Sequence, residues 1–383
     1  EAQDMAVQAL DMAQGRGGDQ AAEMTPDGFT FYGGVSHGVE KRSKVRSRIV
    51  ADQLVKLIKE ADHVVIMGHR MSDLDAIGSA EGVLRICKIC DVPAVIAVRR
   101  DATLAGSLIN ALIAAGQEND FIDPKGALPI ISQRTLCIVV DTYQLGLVES
   151  REILEKCGKV AVIDHHRKGV GFIEKADLVC HEPYASSASE LVTEFLQYVG
   201  DRDDKPNRIE AEGLLSGIML DTRDFTLHTG VRTFEAAAAL RRYGAETERV
   251  RQLFDVTMVE YNAKAALVEA AQMYKGCAIS VGGELAPEAR VAVAQAANDL
   301  LTIQGVDASF VAVQVGTGVN VSARSLGAVN VQVIMESLGG GGHQTMAAAQ
   351  LKHITPEAAR ARIQTAIDQY RESQKKSAPD TKK

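Results

Sequence analysis

The feature that most constrains the fold is a short apolar run, Val160–Ile163, that stops abruptly at Asp164-His165-His166. A run of this length, rich in branched side chains and bounded by polar residues, predicts a buried parallel strand. In open α/β sheets the loop after such a strand is where the chemistry lies. One carboxylate and two imidazoles in that loop therefore indicate part of a two-metal hydrolytic centre.

Two other predicted strands, His63–Met67 and Thr135–Val140, also end at metal-binding residue types. Helical patterns separate the strands by mostly short connections, which predicts an α/β fold with a doubly wound parallel sheet. The carboxyl ends of neighbouring parallel strands meet at one crevice. We expect further candidate ligands to gather there with Asp164, His165 and His166. They are His69, Asp73, Asp75, Asp141 and Asp221, and Asp221 lies at the end of an apolar helix.

So many acidic groups in one crevice would repel each other, and divalent cations are the simple compensation. A single aspartate after a strand more often caps a helix than binds a metal. The prediction therefore rests on several such residues occurring together at the ends of neighbouring strands. A mixed set of oxygen and imidazole ligands suits manganese, with magnesium, zinc or iron as alternatives. Asp73 and Asp75 alternate around a tight loop and could face two different ions, with Asp141 bridging them. Two such ions activate water and stabilise the attacking and leaving oxygens of a phosphoryl transfer.

The C-terminal part has its own alternation of strands and helices, and it contains Gly339–Gly342 followed by His343. Four glycines after a helix let the backbone approach a ligand, and their N–H groups can line an anion site. The alternative is a flexible loop, and the small residues Ala347–Ala349 favour a packed, defined loop instead. Arg324 ends a predicted strand and can hold a phosphate through two hydrogen bonds; the alternative is an exposed ion pair.

Charge limits the partners. With 42 basic and 50 acidic residues the net charge is −8, which disfavours nonspecific binding of long nucleic acid. A small anion can still bind where cations or metals are concentrated. No signal peptide or membrane span is recognisable. Because the first residue is Glu1 and not Met, we expect the chain to be cut from a longer protein.

These motifs resemble those of the DHH phosphoesterase superfamily, and the resemblance covers roughly residues 45 to 370. The glycine segment with its histidine is similar to the signature of the DHH-associated C-terminal domain. Within the superfamily, the chain looks most like the GdpP-type membrane phosphodiesterases that cleave cyclic di-AMP. The segments that carry this closer resemblance are Phe31–Gly34 with the basic run after it, Gly68–Asp75, Phe225–Thr226 with Thr229–Phe234, and Val331–Glu336.

The resemblance implies a division of the chain into five segments. Residues 1–36 look like the end of an upstream degenerate GGDEF-like domain or a linker. Residues 37–245 would form the DHH catalytic domain, 246–275 a helical linker, 276–374 a smaller α/β substrate-binding domain, and 375–383 a disordered tail.

The resemblance also implies a role for each candidate residue. One manganese ion would be held by His69, Asp73 and Asp141, and the other by Asp75, Asp141, His165 and Asp221. Asp164 would orient an imidazole, and His166 would lie beside the reacting phosphate and assist charge or proton transfer. The residues that would hold the substrate's other phosphate or sugar are Arg324, Gly339, Gly340, Gly341, Gly342 and His343.

The function implied is hydrolysis of cyclic di-AMP to linear 5′-pApA by attack of a metal-activated water, with the substrate between the two domains. The resemblance further implies a homodimer, upstream sensory domains, and a cytoplasmic location in a membrane-anchored bacterial parent. One alternative is a short-oligonucleotide or 3′,5′-bisphosphate phosphatase of the same superfamily. Another is a catalytically silent nucleotide sensor, against which the complete ligand set argues.

Overall fold

The chain folds into two units, Glu1–Phe254 and Asp255–Lys383. The structure is a computed structural model that describes residues 5–6, 9–10, 13, 20–25, 28–33, 44–166, 171–286, 291–342 and 345–377. Near the start, β1 (Gln20–Thr25) and β2 (Gly28–Gly33) form an antiparallel hairpin. This hairpin lies within residues 1–36, and the origin of that segment in a GGDEF-like domain stays a prediction.

The main sheet of the first unit has six parallel strands, in the order β5-β4-β3-β6-β7-β8. Those strands are β3 (His63–Met67), β4 (Ala94–Ala97), β5 (Phe121–Ile122), β6 (Thr135–Val140), β7 (Lys159–Asp164) and β8 (Leu178–His181). The chain winds outward from β3 in one direction and from β6 in the other. The topological switch point, where such sheets bind ligands, therefore lies between the ends of β3 and β6. The predicted doubly wound α/β fold is confirmed.

Helices cover both faces of this sheet. Their bounds are α1 (Lys44–Glu60), α2 (Leu74–Ile89), α3 (Gly106–Ala114), α4 (Pro124–Ala127), α5 (Arg151–Lys156), α6 (Ala188–Leu196), α7 (Arg208–Thr222), α8 (Val231–Arg242) and α9 (Thr247–Gln252). In β6, Leu136 and Ile138 pack in the core that includes α1 and α2. Cys137 and Val139 pack in the opposite core, which includes α5. Burial on both faces explains why the strand is apolar throughout.

Helix α2 is buried over most of its length, because α6 and α7 pack closely against it. At Gly78 a Cβ atom would lie 2.4 Å from the carbonyl oxygen of Gly213 in α7, so only glycine permits this approach. The crossing carries the first turn of α2, with Asp75, into the interior of the unit.

The second unit contains a six-stranded sheet in the order β13-β14-β12-β11-β10-β9, in which only β10 and β11 pair in parallel. Its elements are α10 (Met258–Glu269), β9 (Gln272–Tyr274), β10 (Cys277–Gly282), α11 (Val291–Leu300), β11 (Ala308–Val315), β12 (Gly318–Ser325), α12 (Val331–Ser337), β13 (Gly341–Gly342), β14 (Met346–Leu351) and α13 (Pro356–Ser377). Among the described helices of both units, none is long and apolar enough to cross a bilayer.

The structure differs from the predicted organisation at three places. The segment 246–275 does not form a separate helical linker. Val250 of α9 is buried in a core of the first unit, and Leu267 of α10 is buried in a core of the second unit. The sequence analysis assigns no strand to Ala347–Ala349, but these residues are part of β14, where buried and exposed residues alternate. The last helix continues to Ser377, three residues into the predicted tail, and residues 378–383 lie outside the described part.

Candidate metal centre

Asp141 lies at the centre of the site. It follows β6 directly and adopts a left-handed backbone conformation, with φ of 58°, which aspartate tolerates better than most residues. Its Oδ2 atom lies 3.4 Å from Nε2 of His69, and its Oδ1 atom lies 3.3 Å from Nε2 of His165. One buried carboxylate thus faces two imidazoles that follow two different strands, which is the geometry of a bridging ligand.

On the β3 side, Asp73 is both a helix cap and a member of the cluster. Its Oδ1 atom accepts hydrogen bonds from the backbone N–H groups of Asp75 (3.0 Å) and Ala76 (3.2 Å) at the start of α2. The same atom lies 3.8 Å from His69 Nε2. His69 Nδ1 is 2.8 Å from the carbonyl oxygen of Arg70, to which it can donate only as N–H. That tautomer leaves Nε2 free to act as a ligand.

Asp75 is held from behind by helix α6. Its carboxylate accepts hydrogen bonds from the backbone N–H groups of Ala188 (2.7 Å) and Ser189 (2.8 Å), at the positive end of that helix. On α7, a Cβ atom at Gly217 would lie 2.6 Å from Asp75 Oδ1. Sequence reasoning missed these contacts. The signal in the sequence is the serine-rich start of the helix, which includes Ser187, but it suggests contacts of serine side chains and not of backbone N–H groups.

His165 joins Asp221 of α7 to the other ligands. Its Nε2 atom lies 3.0 Å from Asp221 Oδ2 and 3.8 Å from Asp75 Oδ2. Despite these approaches, His165 Nε2 and Asp141 Oδ1 are buried and make no hydrogen bond to any described residue. Donor atoms that crowd together without hydrogen-bond geometry fit a shared cation at the point they face.

Asp164 organises the loop that carries the two histidines. Its Oδ1 atom accepts hydrogen bonds from the backbone N–H of His165 (2.9 Å) and of His166 (3.2 Å). The same oxygen lies 2.8 Å from Nδ1 of the His166 ring, so Nδ1 carries a proton and Nε2 is the free nitrogen. The His166 side chain is 42% exposed, whereas Asp164 is fully buried. His166 is therefore the more accessible of the two histidines, since the His165 side chain is only 12% exposed.

The electrostatics of these groups are strongly coupled. Burial, with repulsion from Asp141 and Asp221, raises the pKa of Asp75 well above its usual range. Burial lowers the pKa of His69, but the neighbouring carboxylates of Asp141 and Asp73 outweigh it and raise that pKa to about 11. Burial likewise opposes protonation of His165, yet its carboxylate neighbours raise the pKa of the ring well above the ordinary value. The pocket therefore draws positive charge to itself.

Among the described residues, three groups of potential ligand atoms share Asp141, and within each group the atoms lie within 4.8 Å of one another. They are His69 with Asp73 and Asp141; Asp75 with Asp141, His165 and Asp221; and Asp141 with His165 and His166. The donors are carboxylate oxygens and imidazole nitrogens without sulfur, which suits manganese, magnesium or another hard or borderline divalent cation. The structure thus brings together every metal ligand expected from the sequence.

In the second unit, Arg324 lies within β12 and pairs in register with Met346 of β14. Its NH1 group donates to the carbonyl oxygen of Ala323 (2.9 Å) and contacts Ser322 Oγ at 3.2 Å. On the other side of β14, Gly342 pairs with Ala347, so the glycine segment and Arg324 flank the same end of this strand.

The four glycines are not equivalent. A Cβ atom at Gly340 would lie 2.1 Å from the carbonyl oxygen of Ala348, and one at Gly342 would lie 2.4 Å from Cα of Ala347. These two glycines are therefore required for packing against β14. Gly339, with φ of 81°, and Gly341 border open space. His343 lies outside the described residues.

Comparison with known proteins agrees with this architecture. Residues 63–218 match the DHH family, N-terminal domain, and residues 288–373 match the DHHA1 domain. The cyclic-di-AMP phosphodiesterase GdpP of Geobacillus thermodenitrificans is 46% identical over 378 residues, which cover 97% of this chain and 57% of the relative. The cyclic-di-AMP phosphodiesterase PdeA of Listeria monocytogenes is 42% identical over 373 residues, covering 96% and 57%.

The chain thus spans a little over half the length of these curated relatives. Among solved structures, an exopolyphosphatase-related protein from Bacteroides fragilis superposes with a TM-score of 0.72 at 20% identity, covering 86% of this chain and 98% of that one. At that identity the likeness concerns the fold alone.

Proposed function

We propose that the chain, whose residues 63–218 match the DHH family and whose residues 288–373 match the DHHA1 domain, is a phosphodiesterase that hydrolyses cyclic di-AMP to linear 5′-pApA with two manganese ions. The observation that carries the proposal is the position of Asp141 in all three groups of potential ligands. A carboxylate shared by the groups could bridge the two ions of a phosphoryl-transfer centre. The substrate is the one named for the two curated relatives.

In this proposal His69, Asp73 and Asp141 hold one ion, and Asp75, Asp141, His165 and Asp221 hold the other. When bound, the pair of ions would lower the pKa of a water molecule and neutralise charge on the reacting phosphate. The hydrogen bonds from the backbone N–H groups of Ala188 and Ser189 orient the Asp75 carboxylate, and they favour its ionised form against the effect of burial.

His166 is the proposed proton-transfer group. Because its Nδ1–H is directed at Asp164, its Nε2 atom presents either a lone pair or, when the ring is protonated, a donor to the phosphate. Asp164 fixes the ring orientation without contacting the substrate, so it is a positioning residue. Water attacks the phosphorus of one 3′–5′ phosphodiester, the bond from phosphorus to the 3′ oxygen breaks, and the protonated His166 ring gives its Nε2 proton to that oxygen, which opens the ring and leaves a 5′-phosphate.

We also propose that Arg324, Gly339–Gly342 and His343 hold the second phosphate or a sugar. The support is that Arg324 and the glycine segment flank the same end of β14 and that Gly341 borders open space. A homodimer, an upstream sensory region, and a cytoplasmic position in a membrane-anchored bacterial parent stay predictions.

The deciding experiment is incubation of the purified chain with cyclic di-AMP, with and without manganese, followed by chromatography of the products. Manganese-dependent formation of 5′-pApA is the expected result. If the cyclic dinucleotide is untouched while pApA is converted to AMP, the short-oligonucleotide phosphatase is the correct function. If neither is cleaved but cyclic di-AMP binds, the sensor is correct.

A further inference from the structure

A cavity of about 140 Å³ opens beside the loop that carries Asp164 and the two histidines, on the face of the sheet opposite α2. Buried Val162 and Ile173 are among the residues that line it, together with the aromatic rings of Tyr143, Phe172 and His181. Cavities that hold whole drug-sized ligands are typically about 300–1,000 Å³. This one therefore has room for a single ring system and not for a dinucleotide.

Backbone pairing builds the frame of the cavity. The N–H of Ile173 donates to the carbonyl oxygen of Tyr143 at 2.9 Å, and the N–H of Leu145 donates to that of Gly171 at 2.9 Å. This short antiparallel contact holds the Phe172 segment alongside the chain that leaves β6. The backbone that carries Tyr143 and Phe172 is thus held in place by the fold itself.

Two contacts connect the cavity to the proposed catalytic loop. The ring of His181 hydrogen-bonds through Nε2 to the backbone carbonyl of His166, and it meets the ring of Tyr143 edge-on, with centroids 5.4 Å apart. Tyr143 is itself two residues from Asp141. The cavity therefore adjoins the place where a bound phosphate would react.

We propose that this cavity binds a purine base of the substrate, and this inference rests on the proposed function. Aromatic and histidine rings are the usual surfaces on which proteins stack unpaired bases. The Glu174 carboxylate, which also lines the cavity, can accept a hydrogen bond from an exocyclic amine. Base binding here would hold the adjoining phosphodiester beside His166, so the cavity supplies both substrate recognition and alignment of the bond to be cut.

The test uses two variants of the cavity and one matched control. Phe172→Leu removes an aromatic ring but keeps apolar bulk. Val179→Trp places a large side chain at a residue that lines the cavity and is 51% exposed. Phe234→Leu makes the same exchange as the first variant at a 56% exposed position that does not line the cavity.

Binding is measured by saturation-transfer NMR with millimolar adenosine, which has a base but no phosphate. We expect transfer to the base protons in the wild type and in Phe234→Leu, and a loss of that signal in both cavity variants. Absence of binding to the wild type, or equal binding by all four proteins, would overturn the inference. Because this readout needs no hydrolysis, a failure of base binding can be told apart from a failure of the proposed function.

Kinetics with cyclic di-AMP provide the second readout. The loss of one stacked ring is expected to raise KM about tenfold while kcat changes by less than about twofold. Hydrolysis with an unchanged KM in both cavity variants would refute base binding and leave the phosphodiesterase intact. Adenosine binding that depends on the cavity, without any hydrolysis of cyclic di-AMP, would support base binding and refute the phosphodiesterase.

Discussion

A carboxyl group far from the metal ligands makes a quantitative prediction about stability. Glu81 lies in α2 with no exposed surface, and neither of its carboxylate oxygens hydrogen-bonds to any described residue. The nearby guanidinium of Arg85 is already engaged by Glu210, through contacts of 2.7 and 2.8 Å. Burial first, then repulsion from Glu210 and Asp120, raises the pKa of Glu81 to about 8, against the opposing effect of Lys88 and Arg85.

The sign of the effect follows from proton linkage. The pKa of Glu81 is higher in the folded chain than the 4.5 it has ordinarily, so the folded state binds the proton more tightly. The stabilisation is complete below about pH 4.5 and is lost as the pH rises to about 8, because unfolding then releases a proton. At 1.36 kcal/mol per pH unit, the loss over that window is about 5 kcal/mol.

Glu81→Gln isolates this contribution. Glutamine has nearly the same shape and stays neutral at every pH, so the variant should escape the loss that wild type suffers. Because the metal-site groups titrate alike in both proteins, their effects cancel in the difference. From about pH 5 to pH 9, the stability of the variant minus that of wild type should rise by about 4 kcal/mol.

The measurement is urea unfolding followed by far-UV circular dichroism, since the chain contains no tryptophan. Glu152→Gln is the matched control: Glu152 is 57% exposed and pairs with Lys156 four residues on, so its effect should stay below about 1 kcal/mol. A difference between Glu81→Gln and wild type that stays constant from pH 5 to pH 9 would refute the reasoning. It would show that Glu81 does not change its protonation across this range.

Three further predictions concern the metal centre. Asp141→Asn should lose both ions and Asp73→Asn only one, as measured by elemental analysis of the desalted protein; equal losses would contradict a bridging Asp141. Asp164→Asn should lower kcat by about 10–100-fold with the ion content unchanged, because it acts through ring orientation; a loss of metal would make it a ligand. In a manganese titration of activity, Gly217→Ala should need at least about tenfold more manganese than wild type, because the added Cβ atom collides with the Asp75 carboxylate. Gly146→Ala adds its Cβ atom in open space and should match wild type in the same titration.

The sequence was most informative where a single physical pattern determined the structure. The bounds of β3 and β6 match the predicted strands His63–Met67 and Thr135–Val140, because both are short apolar runs with polar ends. The convergence of ligands followed from parallel-strand topology. The alternation of Asp73 and Asp75 also predicted their separation into two groups of potential ligands, since one caps α2 and the other turns inward.

The contacts that sequence reasoning missed are tertiary. The backbone N–H groups of Ala188 and Ser189 meet Asp75 only because α6 docks on α2, and no local pattern reports that docking. The burial of Glu81 is likewise a tertiary effect that no local sequence pattern predicts. A glutamate in a helix ordinarily faces solvent, and its burial depends on α7 packing so closely that glycines are needed at the crossing.

The backbone at Asp141 explains how one carboxylate can serve two imidazoles. If β6 continued regularly, the side chain of residue 141 would project to the same face as Cys137 and Val139, into an apolar core. The left-handed turn at Asp141 ends that alternation and brings the carboxylate to the sheet edge, at a backbone cost of about 1–2 kcal/mol. Glycine would remove the strain but also the ligand, whereas asparagine would keep the turn and remove one charge. Asp141→Asn therefore separates the electrostatic role of this residue from its conformational one.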